Sequence, residues 1–184
     1  MTVVTMLKAD DTVLALIDVQ GKLAHSMHER ETLFLNLERC IRGAQILQIP
    51  ILWVEQNPQG LGATIPEISR LLEEYQPLEK MSFSCIKNSE IKKQLLSLRR
   101  KQVLVVGIET HVCVYQSVRD MLAIDLQVEV ITDAVSSRIP ENKHYGLQKM
   151  QLAGAALTTT EMCLFELVAD CEKPEFRQIL RLLK

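Results

Sequence analysis

The chain has 184 residues, 47% hydrophobic and 24% charged, with 21 Lys and Arg against 23 Asp and Glu for a net charge of -2. This is the composition of an ordinary globular domain, long enough to bury about 68–70% of its unfolded surface, and it excludes intrinsic disorder. The near balance of charge favours neither nucleic acid nor an anionic membrane as a partner and leaves a small molecule as the expected one.

The opening MTVVTMLKAD lacks the basic-then-apolar order of a signal peptide, and no apolar run approaches the roughly 20 residues of a membrane span. The expected location is therefore the cytosol. Residues Val13 to Ile17 form an apolar run that ends at Asp18, and Leu33, Leu37, Ile41, Ala44 and Leu47 follow at helical spacing. A second run, Ile51 to Val54, ends at Glu55. Pro58, Gly60, Gly62 and Pro66 mark a loop over residues 57–66. Pro77-Leu78-Glu79 reads as a further short strand before Lys80. Ile91, Leu95 and Leu98 mark a helix with Asn88 or Ser89 as N-cap.

Val103 to Val106 is the next run and ends at Gly107, with a helix through Val114, Val118, Met121 and Leu122 behind it. Val128, Val130 and Ile131 lead to Thr132-Asp133, and Pro140 suits the first turn of a helix over about residues 141–152. Ala155-Ala156-Leu157 precedes three threonines, and Phe176, Ile179, Leu180 and Leu183 make a last amphipathic helix. Runs apolar at every position are strands buried on both faces, which is the condition of a parallel sheet. The alternation predicts one domain over residues 1–184: a doubly wound, mostly parallel α/β sheet with helices on both faces, a three-layer α/β/α sandwich.

Such sheets bind ligands at the carboxyl ends of their strands, which singles out Asp18, Glu55, Lys80, the segment from Gly107, and Asp133. The five cysteines, Cys40, Cys85, Cys113, Cys163 and Cys171, are odd in number, widely spaced and without a CxxC pair. That argues against a disulfide framework and a structural zinc site, and makes most of them small buried hydrophobes. Cys113 differs because it falls where a strand gives way to a helix. A helix N-terminus lowers a thiol pKa and offers main-chain N–H groups to an oxyanion, so Cys113 is expected to be the most reactive of the five.

Asp18 closing the first strand, Lys80 with Phe83-Ser84, and Gly107-Ile108-Glu109-Thr110-His111-Val112-Cys113 after a later strand together resemble the isochorismatase-like cysteine hydrolase superfamily. The stretches from Glu55 to Gly62 and from Asp133 to Arg138 are similar to the isochorismatase domain-containing protein subgroup. The resemblance implies a catalytic triad of Asp18, Lys80 and Cys113, a homo-oligomer, and a cis peptide between Ile108 and Glu109 that aims the N–H groups of Glu109 and Cys113 at one oxyanion. Gln20, Glu55 and Phe83 are the candidates for lining a substrate pocket, although core is the commoner role for Phe83 and for Trp53.

The sequence departs from nicotinamidases of that superfamily. Those carry an Asp-x-His metal pair after the second strand, where this chain reads Glu55-Gln56-Asn57, so neither metal nor cofactor is expected. Glu109 stands where several members have alanine. Cys113 and Arg119 have a C-x5-R spacing, but no glycine lies between them to curl a phosphate loop. His111 sits two residues before Cys113, with capping or packing the commoner role over a cysteine–histidine dyad. The leading expectation is a metal-independent cysteine hydrolase of a small amide-type C–N bond, working through a covalent acyl-enzyme. The alternative is a catalytically silent scaffold of the same fold.

Overall fold

A computed structural model describes residues 5–184, and among them six strands form one parallel sheet in the order β3-β2-β1-β4-β5-β6. In chain order they are β1 Thr12–Ile17, β2 Ile51–Gln56, β3 Leu78–Lys80, β4 Gln102–Ile108, β5 Gln127–Ser136 and β6 Ala156–Thr158. Every residue of β1, β2 and β4 is buried. Their unbroken apolar character follows from that position, because a central parallel strand meets a helix layer on each face.

The helices are α1 Gly21–His25, α2 Arg30–Ile46, α3 Pro58–Leu61, α4 Pro66–Ser69, α5 Ser89–Ser97, α6 Tyr115–Leu122, α7 Pro140–Leu152, α8 Thr160–Val168 and α9 Pro174–Leu183. Successive residues of a strand point to opposite faces, so the sheet divides the core in two. Leu14, Leu16, Trp53, Leu104 and Val106 pack with α2, α8 and α9 through Leu37, Ile41, Leu164 and Ile179. Val13, Ala15, Leu52, Val103 and Val105 pack on the other face with Ile91 and Leu95 of α5, Val118 and Met121 of α6, and Met150 of α7. No helix among the described residues is long and apolar enough to cross a membrane.

The sequence predicts most of these elements to within a few residues. Asn88 is the cap of α5, its side chain accepting from Glu90 N at 2.9 Å and Ile91 N at 3.2 Å. Two features differ. The expected loop over residues 57–66 contains the short helix α3 and leads directly into α4, each with proline at its first position, where a missing N–H costs nothing. β5 runs three residues beyond Asp133, past a register shift opposite Val105 and Gly107. Asp133 is thus a mid-strand residue, and its Oδ1 accepts from Thr160 N and Thr160 Oγ1, both at 2.9 Å. It ties β5 to the start of α8 and takes no part in the candidate site.

One glycine sets the approach of the two central strands. Gly107 has a φ of +116°, and a Cβ there would lie 2.0 Å from the carbonyl oxygen of Ile17. Only glycine lets β4 pass that close to the end of β1. The segment carrying Cys113 is thereby brought beside Asp18.

Candidate active site

Asp18 leaves β1 in a left-handed conformation, φ 54°. Its N–H donates to Val54 O at 3.0 Å and its carbonyl accepts from Gln20 N at 2.9 Å. The carboxylate is therefore held at the carboxyl edge between β2 and β4, where the strand order reverses direction and ligand crevices form. Lys80 is the last residue of β3 and pairs in register with Gln56, the last residue of β2. Lys80 Nζ donates to Asp18 Oδ2 at 2.7 Å and to Gln56 Oε1 at 2.7 Å. The Lys80 and Asp18 side chains are 0% and 3% exposed, so the ion pair is sealed from water.

Cys113 lies in a single π turn, Thr110–Val114, that feeds into α6. The turn wraps around one acceptor, Glu109 O, which takes Val112 N at 3.0 Å and Val114 N at 3.3 Å. The Ile108–Glu109 peptide that precedes it is cis. Gly146 of α7 faces the turn, where a Cβ would come within 3.1–3.2 Å of the His111 and Thr110 backbone. Cys113 Sγ is buried and points at Gln56 Oε1 at 4.0 Å. Asp18 and Lys80 both lie near enough to act on its acidity. Asp18, Lys80 and Cys113 thus meet, from segments that are 62 and 33 residues apart in the chain.

The acidities differ from the sequence-based expectation. Burial first, and then the Asp18 carboxylate, push the Cys113 thiol up to about 12 against the opposing pull of Lys80. Desolvation of a thiolate at this depth outweighs the helix-end field that argued for a lowered value. Burial likewise raises Asp18, with the Lys80 charge and hydrogen bond opposing it. Asp18 Oδ1 is buried and has no hydrogen-bond partner. The resting site therefore holds a protonated thiol beside a carboxylate with a free oxygen. Chemically, that is an acceptor waiting for a proton.

The remaining expected site residues separate by role. Phe83 is 53% exposed, so it belongs to the surface beyond β3 and not to the core. Gln20 and Glu55 are buried, and their polar groups hold main chain. Gln20 Nε2 donates to Gln56 O at 3.0 Å and Gly62 O at 2.6 Å, while its Oε1 accepts from Gln56 N at 2.6 Å. Glu55 Oε1 accepts from Thr64 N at 2.7 Å. These contacts fasten the 57–65 segment to the sheet. Glu109 Oε1 accepts from the Arg138 main chain at 3.0 Å and its Nε at 3.1 Å, so this carboxylate turns toward the end of β5.

His111 Nδ1 bonds Ser137 Oγ at 2.9 Å, and Arg119 reaches the Tyr115 hydroxyl along α6. Neither serves the thiol. Gln56 was not singled out by sequence reasoning, yet it touches two of the three central side chains. Its signal was its place one residue beyond Glu55, at the true end of β2. A cleft of about 870 Å³, lined by Gln48, Pro50, Arg70, Tyr75 and Arg100 among others, includes none of the three residues. A cleft of about 250 Å³ is lined by Lys80 with Asn57, Gln59 and Met81.

Residues 12–162 match the isochorismatase domain. The chain belongs to the isochorismatase-domain family. Isochorismatase domain-containing protein 2 of Macaca fascicularis is 36% identical over 174 residues, covering 94% of this chain and 83% of that protein. The MAR1 ribonuclease structure from Caenorhabditis elegans is 34% identical with a TM-score of 0.91, covering 97% of this chain and 92% of that one. The YcaC gene product of Escherichia coli, described as an octameric hydrolase of unknown specificity, shares the fold at 21% identity and a TM-score of 0.89, covering 100% and 89%. The fold is that of isochorismatase-family hydrolases.

Proposed function

We propose that this protein is a metal-independent cysteine hydrolase that cleaves a small amide-type C–N bond. The observation that carries the reading is the buried Lys80–Asp18 pair at 2.7 Å with a protonated Cys113 thiol against it. As sulfur attacks the acyl carbon, the Sγ–H proton passes to the Asp18 carboxylate. The thiolate therefore exists only along the reaction path, which suits a thiol whose resting pKa is high. Lys80 balances the negative charge that moves between carboxylate and sulfur.

The main-chain N–H groups of Glu109 and Cys113 are the proposed donors to the carbonyl oxygen as it becomes an oxyanion. Asp18, now a carboxylic acid, gives its proton to the departing amine. Water then attacks the thioester and Asp18 accepts its proton, releasing the acid and restoring the thiol. No step calls on a metal or cofactor. A panel of small amides assayed for ammonia or amine release tests the reading, with intact mass following the acyl adduct on Cys113. Turnover lost in Cys113→Ala is the expected result. No turnover and no adduct on any of the panel would favour the scaffold alternative.

The name of the Caenorhabditis elegans relative raises a second reading, cleavage of RNA. A net charge of -2 and a buried thiol do not suit a polyanion, whose binding needs a basic footprint. An RNA substrate degraded by the wild type and spared by Cys113→Ala would reverse that preference. Assembly into a homo-oligomer is supported by the octameric Escherichia coli relative and by exposed Met81, Phe83, Ile139 and Tyr145. Light scattering on the purified chain decides it. The free cysteines support a cytosolic setting.

A further inference from the structure

Gln56 is the residue around which the site's buried hydrogen bonds are organised. Its Oε1 is a shared acceptor, taking the Lys80 ammonium at 2.7 Å and facing the Cys113 thiol at 4.0 Å. An amide can flip by 180°, which would turn an N–H₂ toward the ammonium. Here the flip is blocked, because Nε2 donates to Met81 O at 2.8 Å. The main chain of Gln56 is fixed as well. Gln20, itself fully buried, clamps it from both sides, accepting from its N–H at 2.6 Å and donating to its carbonyl at 3.0 Å.

Lys80 has three N–H donors. One goes to Asp18 and one to Gln56, which leaves a third in a pocket shared with the Cys113 thiol. A flexible ammonium with a single partner would swing onto Asp18 and occupy both carboxylate oxygens. With Gln56 holding it, Asp18 Oδ1 stays without a donor, as observed. The free oxygen and the ammonium are thus both kept available to sulfur. We infer that Gln56 is a positioning residue, buttressed by Gln20, that holds Lys80 between Asp18 and Cys113 so that the ammonium stays beside the sulfur while Asp18 Oδ1 remains open. The inference rests on the Asp18–Lys80–Cys113 reading and deepens it.

The test is the rate of Cys113 alkylation by iodoacetamide between pH 8 and 10, where rate follows thiolate fraction. It is run on the full chain in a Cys171→Ser background and read by peptide mapping. Labelling of buried Cys40 in the same samples reports any unfolding. Gln56→Met keeps the volume and removes the acceptor. It is expected to slow Cys113 labelling about tenfold at each pH and leave Cys40 unlabelled. Lys80→Met is expected to slow it at least as much, and the Gln56→Met, Lys80→Met double variant to be no slower than Lys80→Met alone, because Gln56 acts through Lys80. Gln56→Leu also removes the acceptor without adding charge, and is expected to slow labelling too. Should Gln56→Met unfold the chain, the Gln56→Leu result carries the test. If Lys80→Met slows labelling while neither Gln56 variant does, or if the Gln56 and Lys80 effects multiply, the inference about Gln56 is overturned and the triad stands. If Lys80→Met itself leaves the rate unchanged, the triad reading fails first.

Discussion

Lys80 Nζ lies 2.7 Å from Asp18 Oδ2, 62 residues away in sequence, with both side chains closed off from solvent. A buried ion pair often does no better than well-packed apolar residues of similar volume, yet removing one partner strands the other charge. Lys80→Met should destabilise the chain by about 3–5 kcal/mol, and Asp18→Leu by a similar amount. The double variant should recover most of that loss. Urea unfolding of the four proteins measures the cycle, and additive losses in the double variant would show that the two charges do not depend on each other.

The thiols give a second prediction, and here the structure revises the sequence. Cys171 lies in the exposed turn between α8 and α9, whereas Cys40, Cys85, Cys113 and Cys163 are buried. Brief iodoacetamide treatment at pH 7 should therefore modify Cys171 before Cys113, because access precedes reactivity. In Cys171→Ser protein, Cys113 should be next, and its rate should climb through pH 10 without a plateau, given a thiol pushed up to about 12. A plateau below pH 8 would mean a thiolate already present at rest.

Stability against alkali follows from the same burial. Cys40 and Cys113 are raised to about 12 and Cys85 to about 11, from an ordinary value near 9.0. Their raised folded-state pKa values mean the protonated form is favoured in the fold. That contribution is fully present below pH 9 and is lost as pH rises through 11 and 12, since only the unfolded chain releases the proton early. Melting temperature should fall steadily above pH 9. Cys40→Ala should flatten the decline by about 1.4 kcal/mol per pH unit, the value of one thiol's linkage. Unfolding free energies at pH 8.5, 9.5 and 10.5 provide the comparison.

Gly107→Ala should be among the most damaging single substitutions. It combines a disfavoured φ with a Cβ placed 2.0 Å from Ile17 O, a backbone atom that cannot step aside. A loss of about 3 kcal/mol or more is expected. Gly154, at φ +105° with nothing within 4 Å of an added Cβ, supplies the control. Gly154→Ala should lose about 1 kcal/mol from the backbone conformation alone. Equal losses at the two glycines would show that contact with β1 is not what matters.

Arg138→Ala should change stability by less than about 1 kcal/mol. Its guanidinium is exposed, and its main-chain N–H continues to satisfy Glu109. A larger loss in chemical denaturation would mean that Glu109 depends on the charge of Arg138.

The sequence by itself determined the sheet, its parallel direction and the place of Asp18 and Gly107 at the ends of their runs. Each of those follows from local pattern: an apolar run such as Val103 to Val106 is buried on both faces wherever it sits, and Asp18 and Gly107 end their runs in plain view. Asp18, Lys80 and the motif around Cys113, in that order and spacing, carry the resemblance to the family to which the chain belongs. The tertiary structure alone decided which way the polar side chains turn and how charged groups titrate. Gln20 and Glu55 stand near the carboxyl edge by position, and their hydrogen bonds to the 57–65 segment became visible only in the fold, because buried polar atoms take the main-chain partners that folding brings to them. Gln56 gained its role from the register of β2 against β3, a pairing no local window contains. Cys113 was expected to ionise early from its place at a helix start. Its acidity is instead set by what packs over it and by a carboxylate 95 residues earlier in the chain, since desolvation and charge act through space and not along the sequence.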